Sequence, residues 1–184
     1  PYEACLLKYW HGLRPLRIAC ALPGRRVRDL FERLFEKLPC KLISVPTPVR
    51  GRSMSDPDDP DLARTADAVR ANRAHLGFLV SEEGDACAFF DERGELVHSS
   101  RLLAMLAQFL LDQRATVTLV SESKIGDGIL NSPSVRTVTV NSNRESIWQA
   151  WDQHRADLAG GPSGRYWFDT SGAVCDAIVT VAHV

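Results

Sequence analysis

The sequence lacks several features that mark common classes of protein. It has five scattered cysteines among 184 residues and no CxxC pair. An odd, scattered set argues against a disulfide framework and against a structural zinc site. No apolar run reaches the roughly 18 residues that a membrane-spanning helix needs, and the chain does not begin with a signal-like segment. We therefore expect a cytoplasmic protein without a membrane partner.

An excess of charge of either sign is also missing. The chain has 22 basic and 23 acidic residues, which gives a formal net charge of -1 at pH 7. Nucleic-acid-binding proteins usually carry a basic face, so the composition gives no support for a nucleic-acid partner. Hydrophobic residues make up 45% of the chain. That share is enough to bury one core or two small ones.

The first half of the chain alternates between strand and helix patterns. An apolar run ends in Pro23-Gly24, as buried strands do before a turn, and a proline-rich segment at 46–60 predicts a loop. An acidic turn at 81–85 follows the third strand, and a return strand at 86–90 leads to a tight turn at 91–94. We predict strands at 17–22, 41–45 and 75–80 and helices at 27–38, at 62–73 and from Ser99 or Ser100 onward.

The pattern restarts near residue 113, which indicates a second unit. A glycine-rich segment at 159–164 predicts a mobile or ligand-facing loop. The β-branched residues of the closing segment at 173–184 favour a strand by propensity alone. Trp148 and Trp151 lie at helical spacing with Ile147, so we expect them in the core. We predict strands at 116–120, 135–140 and 165–168 and a helix around Trp148.

Three short motifs stand at matching places along the chain. Ala74-His75-Leu76-Gly77 begins the third strand, Phe90-Asp91-Glu92-Arg93-Gly94 forms the tight turn, and Gly160-Gly161-Pro162-Ser163-Gly164-Arg165 forms the loop of the second unit. They resemble the Ala-Asp-Leu-Gly, Val-Asp-Glu-x-Gly and Gly-Glu-x-Ser-Gly-His motifs of the α-D-phosphohexomutases, the phosphomannomutase and phosphoglucomutase group. The order and spacing of the motifs resemble the two middle domains of that family.

The resemblance implies a fold and a division into domains. It implies an α/β fold with two phosphoglucomutase-like α/β/α layered domains, each with a mixed sheet. Residues 1–11 are then a connector from a missing first domain, residues 12–112 resemble domain two, and residues 113–184 resemble domain three. The segment after Ser171-Gly172 resembles the start of the third domain's last helix, so we favour a helix there over a strand.

The resemblance also implies a metal site and a sugar site with altered residues. Ser81, Glu83 and Asp85 stand where the family has three magnesium-binding aspartates, and Ala86 replaces the adjoining arginine. Magnesium binding is therefore expected to be weak or lost, because one carboxylate is missing. In the second unit Ser163, Gly164 and Arg165 stand in the loop that reads sugar hydroxyls, and Arg165 could grip a phosphate with its planar fork of donors. The two turns are expected to face each other across a groove.

The expected function is that of a phosphohexomutase fragment from carbohydrate metabolism, with a hexose phosphate as the possible ligand. The family's catalytic serine and its phosphate-binding domain lie in missing N- and C-terminal domains, so no catalytic residue is expected in this chain. The fragment should be inactive alone, and the parent could be impaired. One alternative is a pseudoenzyme or a sugar-phosphate or protein-binding module on the same scaffold. A second alternative is an unrelated α/β phosphate-binding protein.

Overall fold

The computed structural model describes residue 6 and residues 14–123, 132–169 and 173–184. The predicted connector at 1–11 lies outside these residues except for Leu6, and so do Ser171 and Gly172. Two compact units divide the chain: the first comprises residues 1–97 and 177–184, and the second comprises residues 98–176. Within the described ranges, every helix is too short or too polar to cross a membrane.

Strands and helices alternate along both units, as the sequence predicts. The strands are β1 (Arg17–Ala21), β2 (Lys41–Val45), β3 (Leu76–Val80), β4 (Cys87–Phe90), β5 (Val117–Ser121), β6 (Val135–Thr139), β7 (Leu158–Gly160), β8 (Tyr166–Asp169) and β9 (Ala173–Cys175). The helices are α1 (Arg25–Phe35), α2 (Pro60–Asn72), α3 (Ser99–Leu111), α4 (Arg144–His154) and α5 (Ala177–His183).

The two sheets share one topology. In the first unit the strand order is β2-β1-β3-β4, with β1 parallel to β2 and β3 and with β4 antiparallel to β3. In the second unit the order is β6-β5-β7-β8-β9, and its first four strands repeat those directions. The prediction of two separate mixed sheets is therefore confirmed.

Helices cover both faces of the first sheet. On one face Phe78 of β3 contacts Phe31 of α1 and Phe89 of β4, with ring centroids 5.3 and 6.4 Å apart. On the other face α2 packs so closely that a Cβ at Gly77 would lie 2.4 Å from Val69 Cγ2. Such packing on both faces gives the predicted α/β/α layers.

Helix α2 begins at a well-formed cap. The Asp59 side chain accepts a hydrogen bond from Asp61 N at 2.8 Å, and Pro60 occupies the first helical position, where a missing N–H leaves no helical bond unmade. Arg73 ends the helix in the left-handed conformation with φ 48°. The proline-rich loop is thus confirmed, and the helix begins two residues earlier than predicted.

Packing assigns two helices to units other than those that the chain order suggests. Helix α3 follows β4 of the first unit but packs on β5 and β7, so it belongs to the second unit. Helix α5 closes the chain but belongs to the first unit, where Ala177 N donates to Gly84 O at 3.0 Å. The boundary predicted between residues 112 and 113 divides the chain once, whereas packing divides it after Val97 and again after Asp176. The assignment of 12–112 and 113–184 to two family domains stays a prediction.

Two details of the second unit differ from the sequence-based expectations, and the closing segment of the chain combines two of them. The segment at 159–164 is not all loop, because β7 extends through Gly160 and pairs in parallel with β5. Trp148 is 54% exposed and lies outside the core, whereas Trp151 and Trp167 are buried. The closing segment contains both proposed structures, a short strand at Ala173–Cys175 and then the favoured helix.

The four described cysteines are all free thiols. Cys20 of β1 is buried, and its Sγ lies 3.6 Å from the carbonyl oxygen of Ile43, to which it donates. Burial raises the pKa of the Cys20 thiol to about 12. It therefore packs as a small neutral side chain.

Replacement of Gly77 tests the close packing of α2 on the first sheet. We expect Gly77→Ala to lower the free energy of unfolding by about 1–3 kcal/mol, because the new methyl group overlaps Val69. Urea denaturation measures the change. Gly51→Ala is the matched control, since no atom lies within 4 Å of a Cβ at that position. Equal effects of the two substitutions would contradict this packing.

Candidate functional site

The turn at 81–86 lies at the carboxyl end of β3, beside the carboxyl ends of the parallel strands β1 and β2. Sheets of this kind bind their ligands in the crevice outside the carboxyl ends of the strands. The turn closes through a hydrogen bond from Gly84 N to Ser81 O at 3.1 Å, and Gly84 adopts a φ of 73°. The left-handed conformation explains why glycine stands there. The turn is the natural place for the first candidate site.

The hydroxyl of Ser81 is fully used inside this turn. Ser81 is 8% exposed, and its Oγ donates to Asp85 Oδ1 at 2.7 Å. The same oxygen accepts hydrogen bonds from the backbone N–H groups of Asp85 and Ala86, both at 3.1 Å. A serine hydroxyl has one donor and two acceptor lone pairs. All three are therefore engaged within the chain.

The next residue, Glu82, pairs with arginines from the proline-rich loop. Its Oε1 accepts hydrogen bonds from Arg50 N at 2.9 Å and from Nε and Nη2 of Arg52 at 3.2 and 2.8 Å. The Arg52 side chain is 0% exposed, and its Nη1 lies 3.0 Å from Asp61 Oδ2. Glu82 thus links the turn after β3 to the loop after β2 and to the start of α2.

Two further carboxylates complete this ion-pair network. Asp59 and Asp61 are 3% and 1% exposed, and Arg50 Nη2 pairs with both of them. Arg64, one turn along α2, also pairs with Asp61. Desolvation lowers the pKa of Arg50, but hydrogen bonds and charges from Asp61 and Asp59 outweigh it, so that the pKa is raised. The carboxylates are paired with guanidinium groups throughout.

The residues of the turn do not fit a magnesium ion. Magnesium requires oxygen ligands in near-octahedral geometry, and the Ser81 oxygen has no lone pair left for a metal. Glu83 is exposed, and Ala86, which is 4% exposed, supplies no cation. Across the described part of the chain, no group of three His, Cys, Asp or Glu side chains is arranged to hold a metal. Hence no chemical step through a metal is derived for this turn.

The second unit has an equivalent turn at 161–165, after β7. Glu122 follows β5 directly and is 8% exposed. Its Oε2 accepts hydrogen bonds from Ser163 N at 2.8 Å and from Ser142 Oγ at 3.2 Å, and Ser163 Oγ donates to Oε1. A Cβ at Gly161 would lie 2.6 Å from Glu122 Cβ. The Glu122 side chain therefore fills the space that a side chain at position 161 would need.

The three predicted substrate-binding residues lie together in this turn. Gly164 N donates to Gly161 O at 3.1 Å, and Gly164 has a φ of 74°, like Gly84 in the first unit. Ser163 Oγ accepts a hydrogen bond from Arg165 N at 3.2 Å while it donates to Glu122. The Ser163 hydroxyl is thus engaged within the chain, and a role of the three residues toward a substrate stays a prediction.

Sequence reasoning missed the charged partners of both turns. Glu122 and Arg52 are distant in sequence from the turns that they hold, and so is Asp61, which pairs with Arg52. Glu122 and its partner Ser163 are 41 positions apart. The available signal was positional: Glu122 comes directly after an apolar strand, where side chains reach the carboxyl edge of a sheet. The facing of the two turns across a groove also stays a prediction.

Comparisons with known proteins give consistent results. The phosphoglucosamine mutase of Campylobacter concisus is 23% identical over 185 residues, and the match covers 94% of this chain and 40% of that protein. The phosphoglucosamine mutase of Methanocaldococcus jannaschii is 25% identical over 143 residues, with 72% of this chain and 32% of that protein covered. No family model matches the sequence.

Solved structures agree in fold. A phosphoglucomutase/phosphomannomutase family protein from Burkholderia thailandensis superposes with a TM-score of 0.84 at 18% identity, over 98% of this chain and 41% of that one. The chain is related to the α-D-phosphohexomutases. The phosphoglucomutase pp63/parafusin of Paramecium superposes with a TM-score of 0.70 at 16% identity. The match covers 97% of the chain described here and 34% of the Paramecium chain. The match with the first two curated relatives thus spans 32% to 40% of their length.

The hydrogen bonds that Glu122 accepts in this chain can be tested by replacing its two serine partners, Ser163 and Ser142. We expect Ser163→Ala to lower the free energy of unfolding by about 1–3 kcal/mol, because it leaves a buried carboxylate short of a donor. Ser142→Ala removes a longer bond from an exposed residue to the same carboxylate and should have a smaller effect. Chemical denaturation compares the two variants. A larger loss at Ser142 would show that the carboxylate is held differently.

Proposed function

We propose that this chain is a non-catalytic, two-unit part of a phosphohexomutase-like protein of carbohydrate metabolism. The observation that carries the proposal is the saturated hydroxyl of Ser81, whose lone pairs are held by backbone N–H groups. Phosphoryl transfer depends on positioning and on neutralisation of charge by metal ions and cationic groups. In this proposal the turn at 81–86 supplies neither a metal ion nor a cationic side chain to a phosphoryl group. We therefore assign no catalytic residue to the chain.

The proposal also concerns the longer protein of which this chain would be a part. The chain matches 40% of the length of the Campylobacter concisus relative, which supports further domains on either side as partners of these two units. Magnesium is then weakly bound or lost at Ser81, Glu83 and Asp85. We also propose a cytoplasmic location, supported by the four free cysteines among the described residues.

A second candidate function is recognition of a hexose phosphate without turnover. A solved relative, the Aspergillus fumigatus N-acetylphosphoglucosamine mutase, was determined in complex with glucose 1,6-bisphosphate. In this chain the supporting feature is the turn of Ser163, Gly164 and Arg165 at the carboxyl edge of the second sheet. The guanidinium of Arg165 is the group that we expect to take a phosphate.

Calorimetry and an activity assay test the proposed function together. We expect millimolar Mg2+ to give no saturable heat with this chain, and the longest natural protein that contains it to show no turnover of glucosamine or glucose phosphates. Saturable sugar-phosphate binding that disappears in Arg165→Gln would support the recognition function. Arg144→Gln, an exposed arginine at the start of α4, is the matched control. Stoichiometric Mg2+ binding together with mutase turnover would overturn the proposal.

A further inference from the structure

The first unit contains an apolar cavity of about 160 Å³ beside the end of helix α5. Ile18 of β1 and Leu76 of β3 line it near the amino ends of these strands, and Val181 and Ala182 of α5 line it as well. Every described lining residue belongs to the first unit. The turn at 81–86 follows the carboxyl end of β3, so the cavity lies toward the opposite edge of the sheet.

The side chains that line the cavity are almost all hydrocarbon. Phe78 and Phe89 are 0% and 3% exposed, and their ring centroids are 6.4 Å apart. Among the described lining residues, only Cys40 and His183 carry a polar side-chain group, and His183 Nδ1 already donates to Val179 O at 2.8 Å. A buried water molecule typically makes about three hydrogen bonds. These side chains offer water few partners, so the cavity suits an apolar occupant.

The volume of the cavity fits a molecule with a single ring. A cavity of about 150 Å³ that was engineered into another protein, with a lining of Leu, Ile and Phe, stays dry and binds benzene or xenon. Pockets for drug-sized ligands are larger, about 300–1,000 Å³. Three phenylalanines, Phe35, Phe78 and Phe89, line the cavity, and contacts between aromatic rings add stabilisation beyond the buried area.

We propose that this cavity is a binding site for one small apolar molecule, an aromatic hydrocarbon of about the size of benzene. Such a molecule regains the van der Waals contacts that the lining of an empty cavity lacks. The inference is independent of the proposed function, because none of the described lining residues belongs to the turns at 81–86 and 161–165.

A ligand can reach the cavity from solvent. Val184 is 42% exposed, and Leu16, Cys40 and His183 are half-buried, so the lining continues to the surface of the unit. Cys40 is a free thiol in this lining. The rate at which Cys40 reacts with a small alkylating reagent therefore reports whether the cavity is filled.

Benzene and pyridine, two rings of similar size, test the inference on the natural chain. Millimolar benzene should raise the melting temperature by roughly 2–5 °C, because a molecule that binds only the folded state stabilises it. Pyridine at the same concentration should raise it much less, since its nitrogen loses hydrogen bonds to water. Benzene should also slow the reaction of Cys40 with iodoacetamide severalfold. Peptide mass spectrometry measures this rate against that of Cys175, which lies outside the lining and should be unaffected.

A variant that fills the cavity provides the second test. Ala182→Leu places a larger apolar side chain in the lining and should abolish the rise in melting temperature with benzene. Ala104→Leu is the matched control, the same change at a half-buried position of α3 outside the lining, and should keep the rise. Where Ala182→Leu does not fold, crystals of the natural chain are measured under xenon pressure, with a strong xenon peak expected beside Phe78 and Val181.

Each contrary outcome overturns the inference for a stated reason. A natural chain whose melting and Cys40 reaction do not respond to benzene has no such site. A rise that persists in Ala182→Leu, or a xenon peak only elsewhere, places the binding outside the cavity. Equal rises with benzene and pyridine contradict the apolar class of ligand. None of these outcomes bears on the metal-free turn, which the Mg2+ titration tests.

Discussion

A polar group that leaves water needs a hydrogen-bond partner or a counter-charge, and both units meet this need from their own chain. Ser81 is satisfied by Asp85 and by two backbone N–H groups, and Glu122 is satisfied by Ser163 and Ser142. These bonds lie at the carboxyl ends of parallel strands, the place where related folds receive ligands. Groups that are already paired cannot take a ligand without first losing a partner.

The two units have turns of the same backbone geometry, but different charged side chains hold the two turns. Each turn places a glycine with positive φ at its fourth position, Gly84 and Gly164, and closes with a hydrogen bond to its first residue. In the first unit the charged partners are arginines from the loop after β2, whereas in the second unit the partner is the carboxylate of Glu122. The repeated topology fixes where the turns stand, and the partner side chains determine what the turns can do.

Local patterns explain which parts of the fold could be predicted. Apolar runs and helical spacing predict β1, β3 and α1 because their signals lie within a few residues. Strand β7 was missed because three residues with a terminal glycine carry no periodic signal. The networks were missed for another reason: Arg52 and Glu82 are 30 residues apart, and Glu122 and Ser163 are 41 apart. Only the folded sheet brings such pairs together, and no local pattern encodes them.

The most direct measurement is a crystal structure from crystals grown with Mn2+, which scatters anomalously and can occupy magnesium sites. We predict no anomalous peak beside Ser81, Glu83 and Asp85, with the Arg52 guanidinium lying between Asp61 and Glu82. A strong peak bounded by the oxygens of the turn at 81–86, with the Ser81 hydroxyl turned toward it, would contradict the central claim that this turn is saturated by its own chain.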